Sequence, residues 1–173
     1  LRRSKVGGAR FEVWLPAGPR PAGLRAEGAP GAEAAAAEEE VDLAGRTVLV
    51  VEDLPEVSRV IADALERAGA ETAVCEDPRD ALEAVTDDPG AWGLLVTDFD
   101  MPHLTGLELA HAARAAAPGL AILLCTALAG ARAEAAGAEG VVDGVLAKPA
   151  TPSRLLRAAR AAIRNRQLKG TPP

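Results

Sequence analysis

The stretch Thr47-Val-Leu-Val-Val-Glu-Asp53, followed by Val57, Val60, Ile61, Ala64, Leu65 and Ala68, decides the fold. Thr47 to Val51 is a continuous apolar run of strand length. From Val57 onward the apolar residues recur at i, i+3, i+4, i+7, i+8 and i+11, which is the period of an amphipathic helix. Pro55 is suited to open that helix and Gly69 to end it. A strand that stops at two acids and turns into a helix is one βα unit.

The same alternation continues to the end of the chain. Thr72–Cys75 reads as a strand, Pro78–Val85 as a helix with Ala81, Leu82 and Val85 inward, and Leu94–Thr97 as a strand. Leu107–Ala117 is a helix closed by Pro118-Gly119, and Leu120–Cys125 a strand. A weaker helix is expected from Ala131 to about Val142, interrupted by Gly137 and Gly140. Val145–Ala147 is a short strand, and Thr151 can cap a last helix with Pro152 in its first turn. Five strands that are apolar throughout, rather than alternating, belong to a sheet covered on both faces. The expectation is a doubly wound parallel α/β domain over residues 46–168 with a tail at 169–173.

Upstream the character changes. Residues 17–45 are Ala, Gly, Pro and Glu with almost nothing large and apolar, and read as a solvated linker. Ala32–Glu40 has helical composition but is short for an isolated helix. In residues 1–16, Arg10-Phe-Glu-Val-Trp-Leu15 alternates polar and apolar as a half-buried strand does. The chain opens with Leu1 and shows no signal-type apolar stretch, so the expectation is a piece of a longer soluble region.

Composition sets limits. Apolar residues make up 49% of the 173, but 39 residues are Ala and aromatics are 2%, so the core must be Val, Leu, Ile and Ala. A net charge of -6 argues against nucleic acid or an anionic membrane surface as the main partner. No apolar run approaches the ~20 residues that cross a bilayer. Two Cys are too few for a disulfide scaffold and fit a reducing, cytoplasmic setting.

The polar residues that matter sit at the carboxyl ends of the strands. Glu52-Asp53 follow the first, Asp98 ends the third, Thr126 the fourth, and Lys148-Pro149 follow the fifth. Open α/β sheets bind ligands at that edge. Clustered carboxylates repel one another unless a cation lies among them, and all-oxygen sites suit Mg²⁺ or Mn²⁺. A lysine and a hydroxyl facing three acids make a place for negative oxygens such as those of a phosphoryl group.

Glu52-Asp53, Asp98-Phe-Asp-Met-Pro102 with Gly106, Thr126-Ala127 and Lys148-Pro149 together resemble the receiver domain of two-component response regulators, over the whole of 46–168. The resemblance implies a flavodoxin-like strand order 2-1-3-4-5. It implies Asp98 as phosphoacceptor from a kinase phosphohistidine, and Mg²⁺ held by Asp53, Asp98 and the backbone carbonyl of Asp100, with Glu52 acting through water. It implies Thr126 and Lys148 as ligands of the phosphoryl group and a cis bond before Pro149. In that strand order Cys75 and Cys125 lie three strand spacings apart, roughly 14 Å, beyond the ~7 Å reach of a disulfide. Both are expected as free thiols.

Two positions depart from the family pattern. Val145 stands where the family has an aromatic residue three before the lysine, and there is no Tyr anywhere, so coupling of Thr126 to an aromatic swing is not expected. Asp100 places an acid near the path of attacking water and is expected to tune dephosphorylation. Gly7-Gly-Ala-Arg-Phe-Glu-Val-Trp-Leu-Pro16 also resembles the closing strand of a histidine-kinase ATPase domain. That order of parts implies the carboxyl end of a hybrid histidine kinase, with a kinase phosphoacceptor domain and a histidine phosphotransfer protein as partners. With Lys169-Gly-Thr-Pro-Pro173 after the last helix, phosphate relay is the expectation in preference to DNA binding.

Other readings stay open. Asp98-Phe-Asp100 also matches the Asp-x-Asp motif of haloacid-dehalogenase-type phosphatases, which need an acidic pair after the lysine where this chain has none. A receiver-like interaction module that is never phosphorylated is the other alternative. His103 is expected as a solvent-facing loop residue, His111 as a surface helix residue, and Arg157, Arg160 and Arg164 as a solvated basic stripe that could meet an acidic partner.

Overall fold

The computed structural model describes residues 42–127 and 140–170. The readings of residues 1–41 and of the helix from Ala131 fall outside the described residues, apart from that helix's end. At that end, Gly140-Val141 is a turn and Val142 an isolated bridge, so the expected reach to Val142 is not met.

Five parallel strands form one sheet in the order β2-β1-β3-β4-β5: β1 Thr47–Val51, β2 Glu71–Cys75, β3 Leu94–Asp98, β4 Ala121–Thr126 and β5 Gly144–Ala147. This is the expected doubly wound fold and order. Described helices are α1 Pro55–Arg67, α2 Pro78–Asp87, α3 Gly106–Ala116 and α4 Pro152–Gly170. Their starts follow local chemistry. Pro55 and Pro78 occupy first-turn positions, where a missing N–H costs nothing. The Asp77 carboxylate accepts from the Arg79 N–H at 2.9 Å, and Thr105 and Glu108 form a reciprocal capping box. Thr151 caps α4 by accepting from the Arg154 N–H at 3.3 Å.

Alternate residues of the inner strands β1, β3 and β4 feed two cores, with Leu146 of β5 joining the first. Val48, Val50, Val96, Leu123 and Leu146 pack with Ala64 and Leu65 of α1 and with Leu155, Ala159 and Ile163 of α4. Leu49, Val51, Leu95, Ile122 and Leu124 pack on the other face with α2 and α3. Each fully buried Val, Leu or Ile among them contributes about 1.5–3 kcal/mol. Leu43 is fully buried in the first core, so packing begins before the boundary expected at residue 46. The helical stripe of α1 is only partly inward: Val60 is 62% exposed, whereas Ala64 and Leu65 are buried.

A charged lock ties the amino ends of β4 and β5 to the helices. The Asp143 side chain is fully buried and accepts from Arg114 Nη2 and Arg166 Nη2 at 2.7 Å each, from the Ile122 N–H at 3.0 Å and from Lys169 Nζ at 3.5 Å. Arg114 also donates to the carbonyls of Pro118, Leu120 and Val141. No helix among the described residues is long and apolar enough to cross a membrane. Cys75 and Cys125 are both free.

Candidate phosphoryl-acceptor site

Because all five strands run parallel, their carboxyl ends share one edge, and the register brings the polar residues together there. Val51 pairs with Thr97, Asp98 with Cys125, and Thr126 with Ala147. Glu52 and Asp53 therefore leave β1 beside Asp98 at the end of β3, and Lys148 leaves β5 beside Thr126. Backbone bonds fix these exits: Glu52 N–H donates to Cys75 O at 3.2 Å, Phe99 N–H to Cys125 O at 2.8 Å and Lys148 N–H to Thr126 O at 2.9 Å. The Lys148–Pro149 peptide bond is cis, as the resemblance implies.

Glu52, Asp53 and Asp98 each offer a carboxylate oxygen within 4.8 Å of the others. Lys148 Nζ lies 2.6 Å from Glu52 Oε2 and 2.9 Å from Asp98 Oδ1. Glu52 is 1% exposed and its Oε1 is buried without a hydrogen-bond partner. Such an orphaned oxygen is costly, and a cation or its bound water would satisfy it. These donors therefore fit Mg²⁺ or Mn²⁺. Burial pushes the Glu52 carboxyl above its ordinary value; the Asp98 and Asp53 charges add to this and the Lys148 ammonium opposes it. At Lys148 burial opposes the charge, but hydrogen bonds to Glu52 and Asp98 outweigh it and hold the ammonium above its ordinary value. The Cys125 thiol, buried below the site, is pushed up to about 12 by desolvation and stays protonated.

Thr126 is buried at the end of β4. The Asp100 side chain is exposed and lies outside the carboxylate cluster, in the bend after Asp98. His103 and His111 are exposed, as expected; His103 adopts a left-handed φ of 71° in the loop before α3. Of the basic stripe, Arg157 is exposed but Arg160 and Arg164 are half-buried, so the stripe is not simply a solvated face. Two features were not read from the sequence. One is Asp143, whose partners lie more than 20 residues away along the chain. The other is a cavity of about 370 Å³ beside Lys148, between α1 and α4, lined by Val57, Val60, Ile61, Leu146, Pro149 and Leu155 among others. The exposure of Val60 on the outer turn of α1 belongs to this groove.

Comparison with known proteins agrees with the geometry. The family model described as response regulator receiver domain matches residues 48–160. A response regulator receiver protein of Anaeromyxobacter sp. is 35% identical over 112 residues, covering 64% of this chain and 46% of the relative. The chain thus spans about half the length of such relatives. The chemotaxis response regulator CheY4 of Vibrio cholerae is similar in structure, with a TM-score of 0.61 and 26% identity over 68% of this chain and 98% of that one. So is the response regulator TrrA of Thermotoga maritima, solved in complex with Mg²⁺ and BeF, with a TM-score of 0.60 and 25% identity over 68% of this chain and 98% of that one. With the strand order, the strand-end site and the family match in agreement, the chain belongs to the response regulator receiver domain family.

Proposed function

We propose that this chain accepts a phosphoryl group on Asp98 from a kinase phosphohistidine and passes it to a histidine phosphotransfer protein or feeds back on the kinase. One observation carries the reading. A half-buried lysine bridges two acids, Glu52 and Asp98, within a carboxylate cluster that leaves one buried oxygen unsatisfied. In the step itself, an Asp98 carboxylate oxygen attacks phosphorus. The P–N bond of the donor breaks, its electron pair stays on the imidazole, and an acyl phosphate remains. Lys148 would pair with an oxygen of the transferred group, and Thr126 would donate its hydroxyl to another. Asp53, Asp98 and the Asp100 carbonyl would hold Mg²⁺, with Glu52 through water. When bound, the ion supplies charge neutralisation for oxygens that are negative throughout the transfer. Asp100, exposed in the bend after Asp98, would affect attack by water and so the lifetime of the phosphate.

The apolar groove between α1 and α4 opens beside Lys148 and, in this reading, offers the partner protein a docking surface. A parent hybrid kinase, read from the resemblance of residues 7–16, and a cytoplasmic location, read from the two cysteines, belong to the same proposal.

Intact mass after incubation with acetyl phosphate and Mg²⁺ tests the reading. Wild type should gain one acid-stable, base-labile phosphoryl group, and Asp98→Asn should gain none. Addition that persists in Asp98→Asn would move the acceptor elsewhere. Mg²⁺ binding without any addition, even from a histidine kinase, would favour the non-phosphorylated interaction module.

A further inference from the structure

We infer that Gly106 is a positioning residue for Asp98, because the empty space at residue 106 sets where the acceptor's backbone can lie. The inference rests on the reading of Asp98 as acceptor. A Cβ on Gly106 would stand 1.9 Å from Asp98 O, 2.8 Å from Asp98 C and 2.9 Å from Leu124 Cδ1. Carbon–oxygen contacts normally begin near ~3.3 Å, so the first of these is short by more than an ångström.

The requirement is for space and not for backbone freedom. Gly106 is not among the glycines with left-handed φ, and it opens α3, where alanine would be the better helix former. Of the two neighbours, the Leu124 methyl is a side-chain tip that can turn aside. The Asp98 carbonyl cannot, because it ends a strand paired on both sides, with β1 and β4. The loop between them is also closed. Gly106 N–H donates to Phe99 O at 2.9 Å, and Phe99 N–H to Cys125 O at 2.8 Å. A side chain at 106 must therefore push α3 away and open this closure, or push Asp98 away from Lys148 and Asp53. Either way the acceptor carboxylate loses its placement, and a misplacement of 1 Å can cost about 10²-fold in rate.

The test compares Gly106→Ala, Leu124→Val, which removes the offending methyl, and the double variant. Each is measured for thermal melting, Mg²⁺ affinity by calorimetry, and phosphorylation rate at saturating acetyl phosphate and Mg²⁺. Leu124→Val should lower the melting temperature and keep rate and Mg²⁺ affinity within about twofold. Gly106→Ala and the double variant should lose at least about tenfold in rate and bind Mg²⁺ more weakly while folded, since removing the methyl leaves the carbonyl clash in place. Folded Gly106→Ala with wild-type rate and affinity would overturn the inference. So would failure of both glycine variants to fold while Leu124→Val folds, which would assign Gly106 to folding alone. If wild type binds Mg²⁺ but takes up no phosphoryl group, the acceptor reading fails instead, and the Mg²⁺ affinities still decide the role of Gly106.

Discussion

At the carboxyl ends of the strands one lysine bridges two of three clustered carboxylates, whereas at the amino ends of β4 and β5 one carboxylate is shared by two arginines and a lysine. Both groups are partly buried charge, but their hydrogen bonds differ. Both Asp143 oxygens accept hydrogen bonds, and Arg114 is satisfied by three carbonyls besides. Glu52 keeps a buried oxygen with no partner. The Asp143 cluster is closed and holds elements together. The Glu52 cluster is incomplete and has capacity for a ligand. The difference teaches that buried charge by itself does not mark a functional site; unmet hydrogen-bonding capacity among like charges does.

The largest effect should come from breaking the closed end. Asp143→Ala leaves Arg114 and Arg166, both largely buried, facing each other without their carboxylate. Removing one partner of such a cluster costs about 3–5 kcal/mol. Denaturant titration should show a loss of that size, with the phosphorylation rate of the folded fraction unchanged. A loss below about 1 kcal/mol would mean that the two ends do not differ in the way described.

At the open end the sign should reverse. Asp53→Asn removes one of three mutually repelling charges and should stabilise the metal-free protein by about 1 kcal/mol, the repulsion of one charge pair near 5 Å in a water-like dielectric, or roughly 4 °C in melting temperature. Mg²⁺ should raise the melting temperature of wild type and not of the variant. The pH dependence sharpens this. Glu52 titrates higher folded than unfolded. Its contribution to stability is therefore fully present below the ordinary value of 4.5 and is lost as pH rises through the folded value. Metal-free wild type should lose stability across that window, and saturating Mg²⁺ should flatten the loss. A melting temperature that rises through the same window without metal would contradict the cause assigned to Glu52.

The smallest effect belongs to Lys169→Ala. Its side chain is 45% exposed and only 3.5 Å from Asp143, so removal should cost no more than about 0.5 kcal/mol. A larger cost would show that the lock needs all three cations.

This contrast also explains what could be read in advance. The open end was legible because strand ends are marked by apolar runs, and Glu52, Asp53, Asp98, Thr126 and Lys148 each stand at such an end. Period and position alone bring them together once the strands are parallel. The closed end was not. Asp143 sits between two apolar segments with nothing nearby in sequence to distinguish it, and nothing in the sequence sets its partners Arg114 and Arg166 apart from the other arginines of their helices. Periodicity likewise placed Val60 with the inward stripe of α1, because helical spacing cannot separate a side chain facing the core from one flanking a groove. Gly106 was visible as a motif position, but the reason for it, a carbonyl in the space a side chain would take, exists only in three dimensions.

Val145 on β5 carries a consequence for signalling. It is 38% exposed and pairs in register with Leu124, two residues before Thr126. Its side chain turns about a single torsion and ends in two methyl groups. It has no ring to bury or release and no polar atom to trade between partners. A ligand shifts a conformational equilibrium only through a difference in affinity for its two states. A short, stiff side chain with no ring and no polar atom gives two states little to differ by, and so little coupling free energy to the acceptor site. Coupling between Asp98 and this edge of the sheet is therefore expected to run through Lys148, which leaves the same strand and bonds Asp98 at 2.9 Å, and not through the side chain at 145.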